Sequence, residues 1–106
     1  MANSFKNYFV KSANSTGATV LTVGAGVQTT VIGMTIANMV STPVTANIFV
    51  TSSGTDYYML KEASIPVGGA LVPIGGDQKL VLEATDSLKV TTSANTDVIV
   101  SALEIS

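Results

Sequence analysis

The stretch Val44-Thr45-Ala46-Asn47-Ile48-Phe49-Val50-Thr51 repeats its apolar character every second residue. In an extended chain Val44, Ala46, Ile48 and Val50 fall on one side, and Thr45, Asn47, Phe49 and Thr51 on the other. That is the pattern of a strand with one face on a core. Phe49 is the odd member of the outer set. It is expected either to project toward a partner or to lie under a second layer.

The same period recurs on both sides of this stretch. Ile32, Met34 and Ile36 alternate with Gly33, Thr35 and Ala37. Leu80 and Leu82 face one way, while Lys79, Val81 and Glu83 face the other, which puts Val81 on an outer face. Leu88 and Val90 alternate with Lys89 and Thr91. The segment from Asp97 to Ile105 starts apolar on both faces, which predicts a central strand covered on both sides.

Residues that accept turn geometries interrupt these runs at 14–17, 24–26, 41–43, 52–55, 66–69, 75–77, 85–87 and 93–96. Pro73 lies between Gly68-Gly69 and Gly75-Gly76 and predicts an edge strand, because proline cannot donate to a ladder. Tyr57–Ala63 is the best helical candidate, yet its aromatic pair and the preceding Ser-Gly-Thr favour strand. In a strand, one of Tyr57 and Tyr58 is expected to join the core and the other to meet solvent or a partner. The sum is an all-β chain of about eight short strands at roughly 8–12-residue spacing. It predicts an antiparallel β-sandwich, jelly-roll-like or Ig-like, occupying residues 8–106 as one domain. Residues 1–7 are polar enough to be set apart as a mobile arm or an extended segment that pairs with a neighbour.

Composition narrows the chemistry. The 106 residues include 14 valines and 14 threonines but no histidine, cysteine, arginine or tryptophan. Charged residues make up 11%, against about 25% in an average domain. A surface rich in serine and threonine with little charge can be approached by like chains or a neighbour at small electrostatic cost. The five cations are Lys6, Lys11, Lys61, Lys79 and Lys89, dispersed along a chain of net charge −2. That is no basic stripe, so direct nucleic-acid binding is not expected. The opening MANSFKNYFVKSANS has no continuous apolar stretch, and no run of about 18 apolar residues follows. Neither a secretory signal nor a membrane contact is expected.

Catalytic motifs fail one by one. Gly24-Ala25-Gly26 begins like a dinucleotide fingerprint, but Thr29 stands where the third glycine belongs. A serine nucleophile would need histidine or a Ser-x-x-Lys spacing, and the sequence has neither. Seven carboxylates sit mainly at strand ends and outer positions, with no calcium-loop pattern. Asp77 and Asp86 sharing one sheet end is the best cation candidate, and it is weaker than a role in turns. No catalytic residue, cofactor or metal is expected.

The second half carries a resemblance. Tyr58-Met-Leu-Lys-Glu-Ala-Ser-Ile-Pro-Val-Gly-Gly-Ala-Leu is followed by Gly76-Asp77-Gln78-Lys79-Leu80-Val81-Leu82-Glu83, Thr85-Asp86-Ser87-Leu88-Lys89-Val90 and Val98–Ile105. With Phe5-Lys6-Asn7 and Ile32-Gly33 to Asn38, this order resembles small β-sandwich virion structural proteins of tailed bacteriophages of marine and cyanobacterial hosts. Thr85 departs from the pattern, since such proteins often have glycine there; a threonine is not expected to serve a turn requiring positive φ.

The resemblance implies a non-enzymatic part of the virion. Capsid decoration, or cementing, is the first expectation, with the major capsid protein or other virion proteins as partners and self-association, often as a trimer. A neck, tail or fibre accessory that touches host glycans is the alternative. Phe5, Tyr8, Phe49, Val81 and exposed strand edges are the expected contacts. Deleting residues 1–7 is expected to weaken incorporation and leave the fold intact.

Overall fold

The computed structural model describes residues 3–75 and 79–105. The turn read at 75–77 therefore falls partly, and Asp77 wholly, outside the described residues. Nine strands form among those described: β1 (Asn3–Ala13), β2 (Ala18–Thr22), β3 (Gln28–Asn38), β4 (Val44–Ser52), β5 (Thr55–Ile65), β6 (Ala70–Ile74), β7 (Leu80–Leu82), β8 (Ser87–Thr92) and β9 (Thr96–Ile105).

They make two antiparallel sheets. One runs β1-β9-β3, with β6 and β7 both on the far side of β3; the other runs β2-β8-β4-β5. First pairs with last, second with eighth, third with sixth and seventh, and fourth with fifth. This is one long hairpin rolled into a sandwich, the jelly-roll order. An Ig-like order would set the first strand beside the second. β6 and β7 share one position, β6 against Met34–Ala37 and β7 against Thr29–Val31. Nine segments thus fill eight places. Pro73 lies in β6, on the edge where a missing donor costs no ladder bond.

The core lies between the sheets. Met34 and Ile36 of β3 and Val98 and Val100 of β9 meet Ile48 of β4 and Leu88 and Val90 of β8, all essentially inaccessible. Burying each such side chain contributes about 1.5–3 kcal/mol. The period-two reading of β4, β7 and β8 holds: Val44, Ala46, Ile48, Leu82, Leu88 and Val90 are buried. In β3 it slips. The ladder shifts between Val31 and Gly33, so Val31 and Met34 both point inward and Ile32 turns out, half-buried. A bulge inserts one residue and reverses the phase beyond it.

The chain is also extended across the boundary read at residue 7. β1 passes through residue 7 without a break, and Asn3 to Val10 pair step by step with Ile105 to Val98 of β9. Residues 3–7 are extended, but their ladder partner belongs to the same chain. Residues 3–7 thus supply one ladder partner of Ser101–Ile105, which pair with Gln28–Gly33 of β3 on their other side.

Two loop devices hold the rolled chain. Asn38 is buried, and its Nδ2 donates to the carbonyls of Thr42 (2.9 Å), Ile65 (3.1 Å) and Pro66 (3.2 Å). Its Oδ1 accepts from the Val40 N–H at 2.9 Å. One amide thereby ties the end of β3 to the end of β5. Between β7 and β8, Thr85 takes φ +71, contrary to the sequence expectation. The turn is fixed from several sides: Asp86 N–H donates to Glu83 O, Glu83 N–H to Asp86 Oδ2, and Thr85 N–H to Val23 O. Together these bonds outweigh the strain of a β-branched residue in the left-handed region.

Candidate interaction surface

The sandwich buries the inner face of each sheet. On the β1-β9-β3 sheet, the outer face also carries apolar side chains, and none of the described residues is laid over them. Register arranges them in rows. Phe5 stands opposite Leu103, Leu103 opposite Thr30, and Thr30 opposite Val81. One step along, Asn7, Ser101 and Gly33 form a row of small and polar residues. Beyond it, Phe9, Ile99 and Thr35 form a third row. Two apolar ridges thus flank a shallow hollow lined by Phe5, Lys6, Asn7, Ile32, Ser101 and Ala102. Rows two residues apart lie about 6.8 Å from one another.

Exposure confirms that these ridges are uncovered. Phe5 is 80% exposed, Phe9 65%, Val81 62% and Ile99 51%. Val72, at the β6 edge of the same sheet, is exposed as well. Lone apolar residues on a surface are ordinary, but a contiguous set on one face marks a contact site. Charge is sparse here: Lys6 lines the hollow, and at one end Lys11 Nζ and Asp97 Oδ2 pair at 3.0 Å. Asp97 also accepts the Ser12 N–H at 3.1 Å; that bond, followed by Lys11, holds its carboxyl below the usual range.

Of the sequence-predicted contacts, Phe5 and Val81 meet in one row. Tyr8 does not join them. It lies on the inner side of β1, half-buried against the core, and its hydroxyl donates a long 3.5 Å bond to Glu104 Oε2. Burial, and then the Glu104 charge, push its pKa up. Phe49 is on an outer face, as its phase requires, but on the other sheet, and it is only 8% exposed. Tyr58 stands opposite it in the β4–β5 ladder with ring centroids 4.8 Å apart, and Lys61 Nζ lies 5.4 Å from the Tyr58 ring. Phe49 is therefore the floor of a local second layer. Tyr57 and Tyr58 are both exposed, so neither enters the core.

The reading of β9 is half met. It is central, between β1 and β3, and its inner face (Val98, Val100, Ala102) is buried. The expected second cover, over Ile99, is absent from the described residues. Phe9 does not stand out in the sequence, because Tyr8-Phe9-Val10 is an unbroken apolar run that hides its phase. Alternation counted from Phe5 would have found it.

Among the described residues no group of three or more His, Cys, Asp or Glu could hold a metal ion, and no helix is long and apolar enough to cross a membrane.

No protein-family model and no curated protein matches the sequence. Among solved structures, a subunit of Bacillus endospore appendages, described as disulfide-linked pili, is similar with a TM-score of 0.57 at 12% identity, covering 98% of this chain and 88% of that one. A chain of the T13 IBDV viral particle gives a TM-score of 0.49 at 10% identity, covering 96% of this chain and 34% of that one. A pentameric capsid protein from metagenomic phage sequences gives 0.42 at 19% identity, covering 92% and 59%. The first likeness shows a shared fold; the other two superpose more loosely.

Proposed function

We propose that this chain is a non-enzymatic structural protein of a virion, a decoration or cement subunit that seats on the capsid and binds between shell subunits. The observation that carries a contact role is the uncovered apolar face built on β9, with Phe5, Phe9, Ile99 and Val81 on its ridges. The virion setting is supported by the sequence resemblance to small phage β-sandwich proteins. The similar pilus subunit is described as disulfide-linked, and this chain has no cysteine with which to form such links.

Mechanism follows from mass action. A subunit that binds the assembled shell and not its separate parts stabilises the shell. Its apolar ridges leave water on seating, and repetition over a symmetric lattice adds avidity. The low charge of the face removes a barrier to close approach. Self-association belongs to the same proposal.

A neck, tail or fibre accessory that contacts host glycans is the second reading. Tyr57 and Tyr58, both exposed on β5 on the other sheet, favour it, since an exposed ring can stack on a sugar face. Quantitative mass spectrometry of purified particles separates the readings. Copies comparable in number to the shell subunit support decoration. A few copies per particle favour neck or tail, and absence from particles overturns the virion proposal.

A further inference from the structure

A sheet edge presents backbone N–H and C=O groups with no partner in their own sheet, and proteins blunt such edges with bulges, breaks, proline and charge. Three of the four edges here carry those devices along most of their length. The β5 ladder slips twice, with Glu62 at φ +57 beside exposed Lys61. The β6–β7 position is broken and holds Pro73. β2 has five residues and slips between Thr19 and Leu21. β1 confines its irregularity to one end: the ladder shifts between Val10 and Ala13, where Ser12 takes φ +57 beside exposed Lys11. From Asn3 to Val10 its pairing with β9 is unbroken, residues 3–7 are all exposed, and Lys6 is the one charge among them.

We infer that the free edge of β1 pairs antiparallel with β1 of a second copy of this chain, about a two-fold axis through Asn7. The inference concerns the chain's own assembly and does not depend on the shell-binding role. The sequence of β1 selects both the occupant and the register. Centred on Asn7, the pairing sets Phe5 against Phe9 of the partner subunit, twice by symmetry, and Lys6 against the partner's Tyr8. Aromatic residues directly opposite on one face stabilise a strand pair. Centring on Lys6 would oppose two lysines, and centring on Tyr8 would set Phe5 against the partner's Lys11. Like charges directly opposite destabilise a ladder. The Asn7 register also continues the outer face. The ridge Phe5-Leu103-Thr30-Val81 runs on into the partner's Phe9 and the partner's Ile99, so two copies present one doubled apolar surface.

The test uses the absence of native cysteine. Across an antiparallel pair, opposed Cα atoms lie about 4.5–5.5 Å apart, within disulfide reach. Asn7→Cys opposes itself across the axis and is expected to oxidise under mild native conditions to a covalent dimer. Ser15→Cys, exposed in the turn after β1, is the control and is expected to stay largely monomeric. Sedimentation of the unaltered chain is expected to give a two-chain mass at high concentration. Phe9→Ser, which changes an exposed side chain, is expected to lower that mass with an unchanged circular-dichroism spectrum. Asn7→Cys cross-linking no faster than Ser15→Cys overturns the inference, as does a monomer at every concentration or a three-chain ring.

Discussion

Phe9 and Ile99 stand directly opposite one another in the β1–β9 ladder, both more than half exposed on the outer face. Neither contributes to the core, so their apolar character is not explained by folding. Replacing both, Phe9→Ser with Ile99→Thr, is expected to change the unfolding free energy by under about 1 kcal/mol, as surface substitutions do. The same pair of changes is expected to abolish incorporation into particles. Urea unfolding and a particle-binding assay check the two halves separately; normal incorporation would contradict the contact role of the face.

Asn38 gives the opposite profile. Asn38→Ala removes the donor shared by the carbonyls of Thr42, Ile65 and Pro66, and the acceptor of the Val40 N–H. Buried polar groups left without partners make this cost about 2–4 kcal/mol. A lower urea midpoint at constant m-value is the expected reading.

Thr85 holds a strained φ of +71 with an exposed side chain. Thr85→Gly relieves that strain and keeps the N–H bond to Val23 O. Glycine also loosens the unfolded chain, so the net gain is expected to be about 0.5–1 kcal/mol. A fall in melting temperature would contradict the account of this turn.

Stability is expected to be flat from about pH 5 to about pH 9, because the chain has no histidine. The folded pKa of Asp97 is lowered by the Ser12 N–H and then by Lys11. Its contribution is therefore present above the ordinary carboxylate range and is lost as pH falls through the lowered value. Tyr8 is raised by burial and then by Glu104. Its contribution is present below the ordinary tyrosine value near 10 and is lost as pH rises through the raised one. Asp97→Asn is expected to shrink the acid limb of the unfolding profile and leave the alkaline limb unchanged.

Strands were legible wherever alternation was clean. β4, β7 and β8 follow the period of their side chains, and Pro73 marked its edge correctly. Legibility failed where backbone irregularity set the phase. The bulge at Ile32 reverses the phase of β3, and those in β5 let Tyr58 come to rest over Phe49. Gly33, next to Ile32, is the one local signal, since an isolated glycine inside a strand often marks a bulge, but Ile32, Met34 and Ile36 around it read as an ordinary apolar alternation. The surface was legible only in part. Val81 and Phe5 could be assigned outward one at a time, but their meeting in one row depends on β9 lying between β1 and β3. That adjacency joins residues from opposite ends of the chain, and local sequence does not contain it.

A reconstruction of intact particles carrying this chain tests the central claim most directly. The expected result is that the ridges bearing Phe9, Ile99, Leu103 and Val81 are turned onto a neighbouring subunit, with the β2-β8-β4-β5 sheet toward solvent. Density that places those ridges in open solvent, with the opposite sheet seated on the shell, would contradict it.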